Sequence, residues 1–242
     1  MKILCSNPLA QFKSKQKIIE NSVKKVLNSS NYILGQNVQR FEKNFSNFIG
    51  SRYGVGVANG TDALEIALKV LNISKGHEVI TVSHTALATV AAIISTGAKP
   101  VLIDIEEDRF TIDIDMIEKN ITKKTKAIVL VHIYGQSADI DKIAKICKKN
   151  KVKLIEDTSQ AHCGKWKDKY LGSYGDLSTF SFYPTKNLGA IGDAGFICTN
   201  NKKLYEKACQ IREYGWNKDR VANIVGRNSR LDEIQASILD IK

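Results

Sequence analysis

No stretch of this 242-residue sequence is apolar over the roughly 20 residues that a bilayer crossing needs. The N-terminus lacks the apolar core of a signal peptide. Histidine is scarce, at four residues, and the five cysteines (Cys5, Cys147, Cys163, Cys198, Cys209) form neither a CxxC pair nor a Cys/His set with metal-ligand spacing. An odd number so placed fits a reducing compartment better than a disulfide framework and offers no metal site. Internal repeats, low-complexity tracts and linkers are also absent. These absences predict a cytoplasmic protein.

Acidic charge is in deficit: 36 basic residues against 25 acidic ones leave a formal net charge of +11. The excess lysine sits in scattered groups such as Lys123-Lys124, Lys148-Lys149 and Lys202-Lys203. These fall near helix ends and turns instead of along one aromatic-interleaved face, so a solvated surface is the reading and nucleic-acid binding is not supported.

What the chain does have is 43% hydrophobic content, enough for a real core, in strand-like and helix-like segments that alternate. Helical spacing predicts helices over 16–27, 38–49, 63–71, 85–96, 113–120, 140–150 and 204–214. Strands are predicted at 53–58, 79–82, 100–105, 127–132, 152–156, 177–182 and 196–199. Near-continuous apolar strands between amphipathic helices predict an α/β fold with a mainly parallel sheet covered on both faces.

Lys186 stands out as the only lysine between Lys169 and Lys202. Phe180, Phe182, Tyr183 and Pro184 precede it, and Gly189, Gly192 and Gly195 follow. An amine in such a setting is partly dry, where its pKa falls and it acts as a nucleophile; the bland alternative is a surface loop lysine. Asp157 ends the β-like run Leu154-Ile-Glu-Asp157, and reads either as a helix cap or as the partner of a pyridine nitrogen. A lysine and an aspartate are the two protein groups that pyridoxal phosphate most needs. Asn59-Gly60-Thr61-Asp62, between a strand and a helix, has the form of a phosphate-binding helix N-terminus or of an ordinary N-cap. Ser181 reads as a second phosphate hydroxyl or as only a strand serine. Gln160 is a candidate for the cofactor's ring oxygen; His162 reads either as a substrate contact or as a satisfied structural histidine. His84 either stacks on the ring or caps the next helix.

Six ordered stretches carry a resemblance: Tyr32-Ile-Leu-Gly35, Asn59-Gly-Thr-Asp-Ala-Leu64, Gly76-His-Glu-Val-Ile80, Ile155-Glu-Asp157 with Gln160-Ala-His162, Ser181-Phe-Tyr-Pro-Thr-Lys186, and Gly226-Arg-Asn-Ser-Arg-Leu231 with Glu233-Ile-Gln-Ala236. Over nearly its whole length the chain resembles the DegT/DnrJ/EryC/StrS sugar aminotransferases. These belong to the fold-type I, aspartate aminotransferase-like pyridoxal-phosphate enzymes. The resemblance implies the large domain of that fold, with a seven-stranded, mainly parallel sheet between helices and a helical N-terminal segment. Lys186 is then the lysine that carries pyridoxal 5'-phosphate, and Asp157 the partner of its ring nitrogen. Gly60, Thr61 and Ser181 resemble the phosphate ligands, and Gln160 the ring contact. Asn228 resembles the residue that reaches a neighbouring subunit's phosphate, which implies a homodimer. His84, His162 and Tyr183 are substrate candidates. Many relatives have an aromatic residue where Ala86 stands here, which shifts ring stacking towards His84.

The implied reaction is transamination of a nucleotide-linked keto-6-deoxy sugar with glutamate as amino donor. Tyr214-Gly-Trp-Asn217 and Ser83-His-Thr-Ala86 resemble the subgroup that aminates C3 of dTDP-3-keto-6-deoxyhexoses. Amination at C4, a catalytically silent fragment and a non-enzymatic cofactor-binding regulator are the alternatives. The segment Ser229–Lys242 has helical spacing without a capping glycine, so it reads as a helix cut through, with the family's small C-terminal domain missing. That expectation leaves the stripe Leu231, Ile234, Ile238 and Ile241 short of partners.

Overall fold

A computed structural model describes residues 4–242. Two helices, α1 (Pro8–Ser14) and α2 (Gln16–Leu27), lead into α3 (Gln36–Ile49) and the strand β1 (Tyr53–Val57). The chain then runs α4 (Gly60–Val70), β2 (Glu78–Val82), α5 (Leu87–Ser95), β3 (Lys99–Ile103), α6 (Ile114–Asn120), β4 (Thr125–Val131), α7 (Ile140–Asn150) and β5 (Lys153–Asp157). A two-stranded hairpin, β6 (Lys165–Trp166) and β7 (Lys169–Tyr170), precedes β8 (Leu177–Ser181), β9 (Gly195–Thr199), α8 (Lys202–Arg212) and α9 (Glu233–Leu239).

Seven strands form one sheet in the order β1-β9-β8-β5-β4-β2-β3. Every neighbouring pair is parallel except those involving β9, which runs antiparallel to both β1 and β8. The fold class read from the sequence is therefore the one observed. Alternate residues of a strand feed opposite layers, as the two-residue period demands. Ala127, Val129 and Ile155 pack with α4 and α5, whereas Ile128, Leu130 and Leu154 pack with residues of α6 and α7.

At the β8–β9 end the second layer is made by α3 and α9. Phe45 is buried there, its ring between 5.0 and 5.5 Å from those of Phe41, Phe180, Phe182 and Phe196. Three of those four contacts are edge-to-face, the geometry that the ring quadrupoles favour. Phe48, three residues beyond Phe45 in α3, is 45% exposed.

Most boundaries agree with the sequence to within two residues, and side-chain caps explain why. Asn59, Asp113, Asp139 and Asn201 each accept a backbone N–H in the first turn of the helix that follows. Three differences have physical causes. Helix α5 starts at Leu87, since Ala86 is extended (φ −65°, ψ 145°). Helix α1 lacks a long apolar pattern and is set by the Asn7 cap with Pro8 at its first position. Half of the C-terminal stripe finds partners: Leu231 and Ile238 are buried, with α2 and α3 lying against α9, while Ile234 and Ile241 are half-buried.

Phe45→Ala should lower stability by about 3–5 kcal/mol, because four rings would border the void. Phe48→Ala should cost much less. Urea unfolding followed by fluorescence measures both.

Candidate active site

Parallel strands present their carboxyl ends along one edge of the sheet, and loops at that edge build sites in such folds. Asn59–Thr61 follow β1, His84 follows β2, Tyr134 follows β4, Asp157 ends β5 and Ser181 ends β8. Because β9 reverses, the β8–β9 connection stays at the same edge, and that connection carries Lys186.

Gly60 and Ser181 are in direct contact. A Cβ at Gly60 would lie 2.6 Å from the Ser181 Cβ and 3.1 Å from its Oγ. A Cβ at Gly195, the register partner of Ser181, would overlap the Asn59 carbonyl oxygen. Only hydrogen fits at either position. The Asn59 side chain takes the Asp62 N–H (2.8 Å), so the N–H groups of Gly60 and Thr61 remain without an acceptor within the helix. Two amides at a helix's positive end with the Ser181 hydroxyl against them suit a phosphate dianion. The residues therefore fit the phosphate end of pyridoxal phosphate.

Lys186 is half-buried, and its backbone N–H donates to the Tyr183 carbonyl (2.8 Å). Burial lowers its pKa, against the opposing attraction of the Asp157 carboxylate. The two residues singled out from sequence are thus electrostatic neighbours. Asp157 is almost fully buried; its Oδ2 accepts from Thr89 Oγ1 (2.9 Å) and its Oδ1 from the Ser159 N–H (3.2 Å). A cavity of about 270 Å³ beside Lys186 is lined by Pro184, Thr185 and Asn187 and by Cys5–Pro8 and Gln11. The larger concavity of about 450 Å³ between α7 and residues 174–176 contains none of the candidate groups.

Gln160 accepts the Tyr134 N–H through Oε1 (3.0 Å), holding Tyr134 in a left-handed conformation (φ 56°). Its amide NH₂ is left to donate. His84 is half-buried, with its ring 5.6 Å from Tyr134 and 6.0 Å from Phe110. It does not cap α5, whose N-cap is Ala86. Tyr183 is 53% exposed. Asn228 is exposed, on a segment bridged to Glu213, and the next residue, Ser229, accepts the Ala58 N–H (3.1 Å).

His162 has the surroundings of the structural one of its two readings. It is 1% exposed, packed against Phe180 and Phe182, and its Nε2 donates to the Ser181 carbonyl (2.8 Å). The hydrogen bond straps the residues after β5 to β8. Burial pushes its pKa down to about 4.

Two groups escaped the sequence reading. Glu156 is fully buried, and accepts from the N–H groups of Gly172 (2.8 Å), Tyr174 (2.8 Å) and Gly175 (2.7 Å) beside His132 Nε2 (3.0 Å). Burial pushes its pKa up, but His132 and the amides outweigh this and leave it lowered. The signal was a carboxylate within an apolar strand. Thr89 was the other, a hydroxyl early in the apolar stretch Leu87–Ile94.

The model of the DegT/DnrJ/EryC1/StrS aminotransferase family matches residues 13–242. A dTDP-3-amino-3,6-dideoxy-alpha-D-galactopyranose transaminase from Aneurinibacillus thermoaerophilus is 47% identical, over 94% of this chain and 62% of its own length. A pleiotropic regulatory protein from Geobacillus stearothermophilus is 45% identical, over 90% of this chain and 58% of its own. The crystal structure of DesV from S. venezuelae superposes with a TM-score of 0.96 at 36% identity, covering 99% of this chain and 65% of that one. The chain thus spans about three-fifths of the curated relatives it matches.

The unfolded chain takes up a proton on His162 near the ordinary histidine pKa of about 6.5, the folded one only near 4. Its contribution is therefore complete above pH 6.5 and is lost as pH falls towards 4. Between pH 7 and 4.5 wild type should lose about 2–3 kcal/mol more stability than His162→Gln, read from urea midpoints at each pH.

Proposed function

From a chain that belongs to the DegT/DnrJ/EryC1/StrS aminotransferase family, we propose a pyridoxal phosphate-dependent transaminase of nucleotide-linked keto sugars. The carrying observation is a half-buried lysine of lowered pKa, electrostatically coupled to a buried aspartate, at the sheet edge where Gly60 meets Ser181. When bound, pyridoxal phosphate supplies an electron sink for negative charge on the carbon bearing the transferred nitrogen.

The chain's own residues divide the remaining work. The N–H groups of Gly60 and Thr61, with the Thr61 and Ser181 hydroxyls, hold the phosphate. Gln160 donates to the ring oxygen through the amide NH₂ that Tyr134 leaves free. Asp157 would lie against the ring nitrogen and favour its protonated form, because a nearly buried carboxylate favours a cation beside it. Lys186 anchors the cofactor through its amine. Once released, the same amine takes the α-proton of the amino donor and returns a proton to the sugar carbon that receives nitrogen. Lowering its pKa makes the neutral base available for that duty.

Asn228, exposed, suits contact with a second copy's phosphate, so the working unit is a homodimer. Tyr183 and His84 line the approach for the sugar. A dTDP-linked 3-keto-6-deoxyhexose is the proposed substrate and glutamate the donor. The likeness to the Aneurinibacillus transaminase supports amination at C3 over C4.

Borohydride reduction of the protein with pyridoxal phosphate should fix the cofactor covalently on Lys186, located by peptide mass. Lys186→Ala should abolish both that adduct and the visible absorption band; a band that survives unchanged ends the assignment.

Asp157→Asn should slow the half-reaction with glutamate by about 10²-fold or more, with a smaller loss of cofactor binding, because the isosteric amide cannot stabilise a protonated ring nitrogen. Stopped-flow absorbance measures this rate.

A further inference from the structure

We propose that Thr89 is a positioning residue for Asp157, the inner link of the hydrogen-bond chain Thr85–Thr89–Asp157. The inference rests on the reading that Asp157 faces the cofactor's ring nitrogen.

Thr89 is fully buried, in the first turn of α5, and its hydroxyl lies 2.9 Å from Asp157 Oδ2. Thr85, four residues earlier and half-buried, has its hydroxyl 2.8 Å from that of Thr89. An ionised carboxylate only accepts hydrogen bonds, so Thr89 spends its single proton on Asp157. Thr85 must then be the donor to Thr89. Both protons point inward, and each bond polarises the next towards the carboxylate.

Hydroxyls on a helix ordinarily have another outlet, the helix's own carbonyls. Two near the end of α5 take it: Ser95 bonds to the Ala92 carbonyl (2.8 Å), and Thr96, the C-cap residue, to that of Ile93 (2.7 Å). Thr89 crosses to the sheet instead. On the other side the Ser159 N–H holds Oδ1 (3.2 Å), so the carboxylate is fixed at both oxygens. Its rotation about the side-chain bond is thereby set before any ligand arrives. A carboxylate so pinned meets the ring N–H without reorganising, and holding it in place is the work of Thr89.

A merely structural threonine would affect every cofactor alike. A positioning one affects only a cofactor with a ring nitrogen. The test compares binding of pyridoxal phosphate and of its 1-deaza analogue, which has carbon at that position, by absorbance titration of the apoprotein. Wild type should prefer pyridoxal phosphate. Thr89→Val, equal in shape, should cut that preference about tenfold, the loss of one charge-assisted hydrogen bond. Thr89→Ser should restore it.

In an Asp157→Asn background Thr89→Val should change the preference no further. The half-exposed Thr85→Val, mild for folding, should reduce the preference in the same direction by a smaller factor. Equal losses for both cofactors in Thr89→Val, or an unchanged preference in both valine variants, would overturn the proposal. A wild type that holds the two cofactors equally would instead sink the Asp157 assignment, and Thr89 with it.

Discussion

One reversed strand organises the site. If β9 ran parallel to its neighbours, the chain leaving β8 would need a crossover, and its loop would return along the far edge of the sheet. Running antiparallel, β9 lets residues 182–194 turn back where β8 ends, beside the carboxyl ends of β1, β4 and β5. Lys186 therefore shares an edge with Asp157 and with the start of α4. The reversal demands tight backbone contacts, and the close approaches of Gly195 to Asn59 and of Gly60 to Ser181 are how the sequence meets that demand.

Adjacent carboxylates on β5 show how environment assigns roles to chemically similar groups. Glu156 and Asp157 point to opposite faces, as consecutive strand residues must. Glu156 faces three backbone amides and His132, which occupy its oxygens and tie the 172–175 turn to the sheet. Such a saturated carboxylate is a structural staple with nothing left to offer a ligand. Among the described residues Asp157 has one hydrogen-bond donor at each oxygen, and so retains acceptor capacity.

Much of this was legible in the sequence because the signals were local. Strand runs such as Ala127–Val131, capping residues such as Asn59 and Asp139, and the isolation of Lys186 among aromatics and glycines all declare themselves within a few positions. Contacts across long separations did not. Nothing near His162 announces that Phe180 and Phe182 will enclose it, and an imidazole in a motif looks the same whether it meets substrate or core. The burial of Leu231 and Ile238 required knowing that α2 and α3 return to cover α9. Thr89 was hidden for the opposite reason: a threonine is unremarked in a helix, and its partner lies 68 residues away.

The Gly60–Ser181 contact also fixes when the site can come into being. A ribosome delivers α4 and its two unpaired amides early, whereas Ser181, Lys186 and β9 emerge only after five strands of the main sheet have been made. Until β8 and β9 dock beside β1, the first half of the chain has a helix end but no opposing wall for a phosphate. The Gly60–Ser181 cradle is thereby completed late in the life of the nascent chain. A phosphate held there, as proposed, would latch the completed sheet and could not template its beginning.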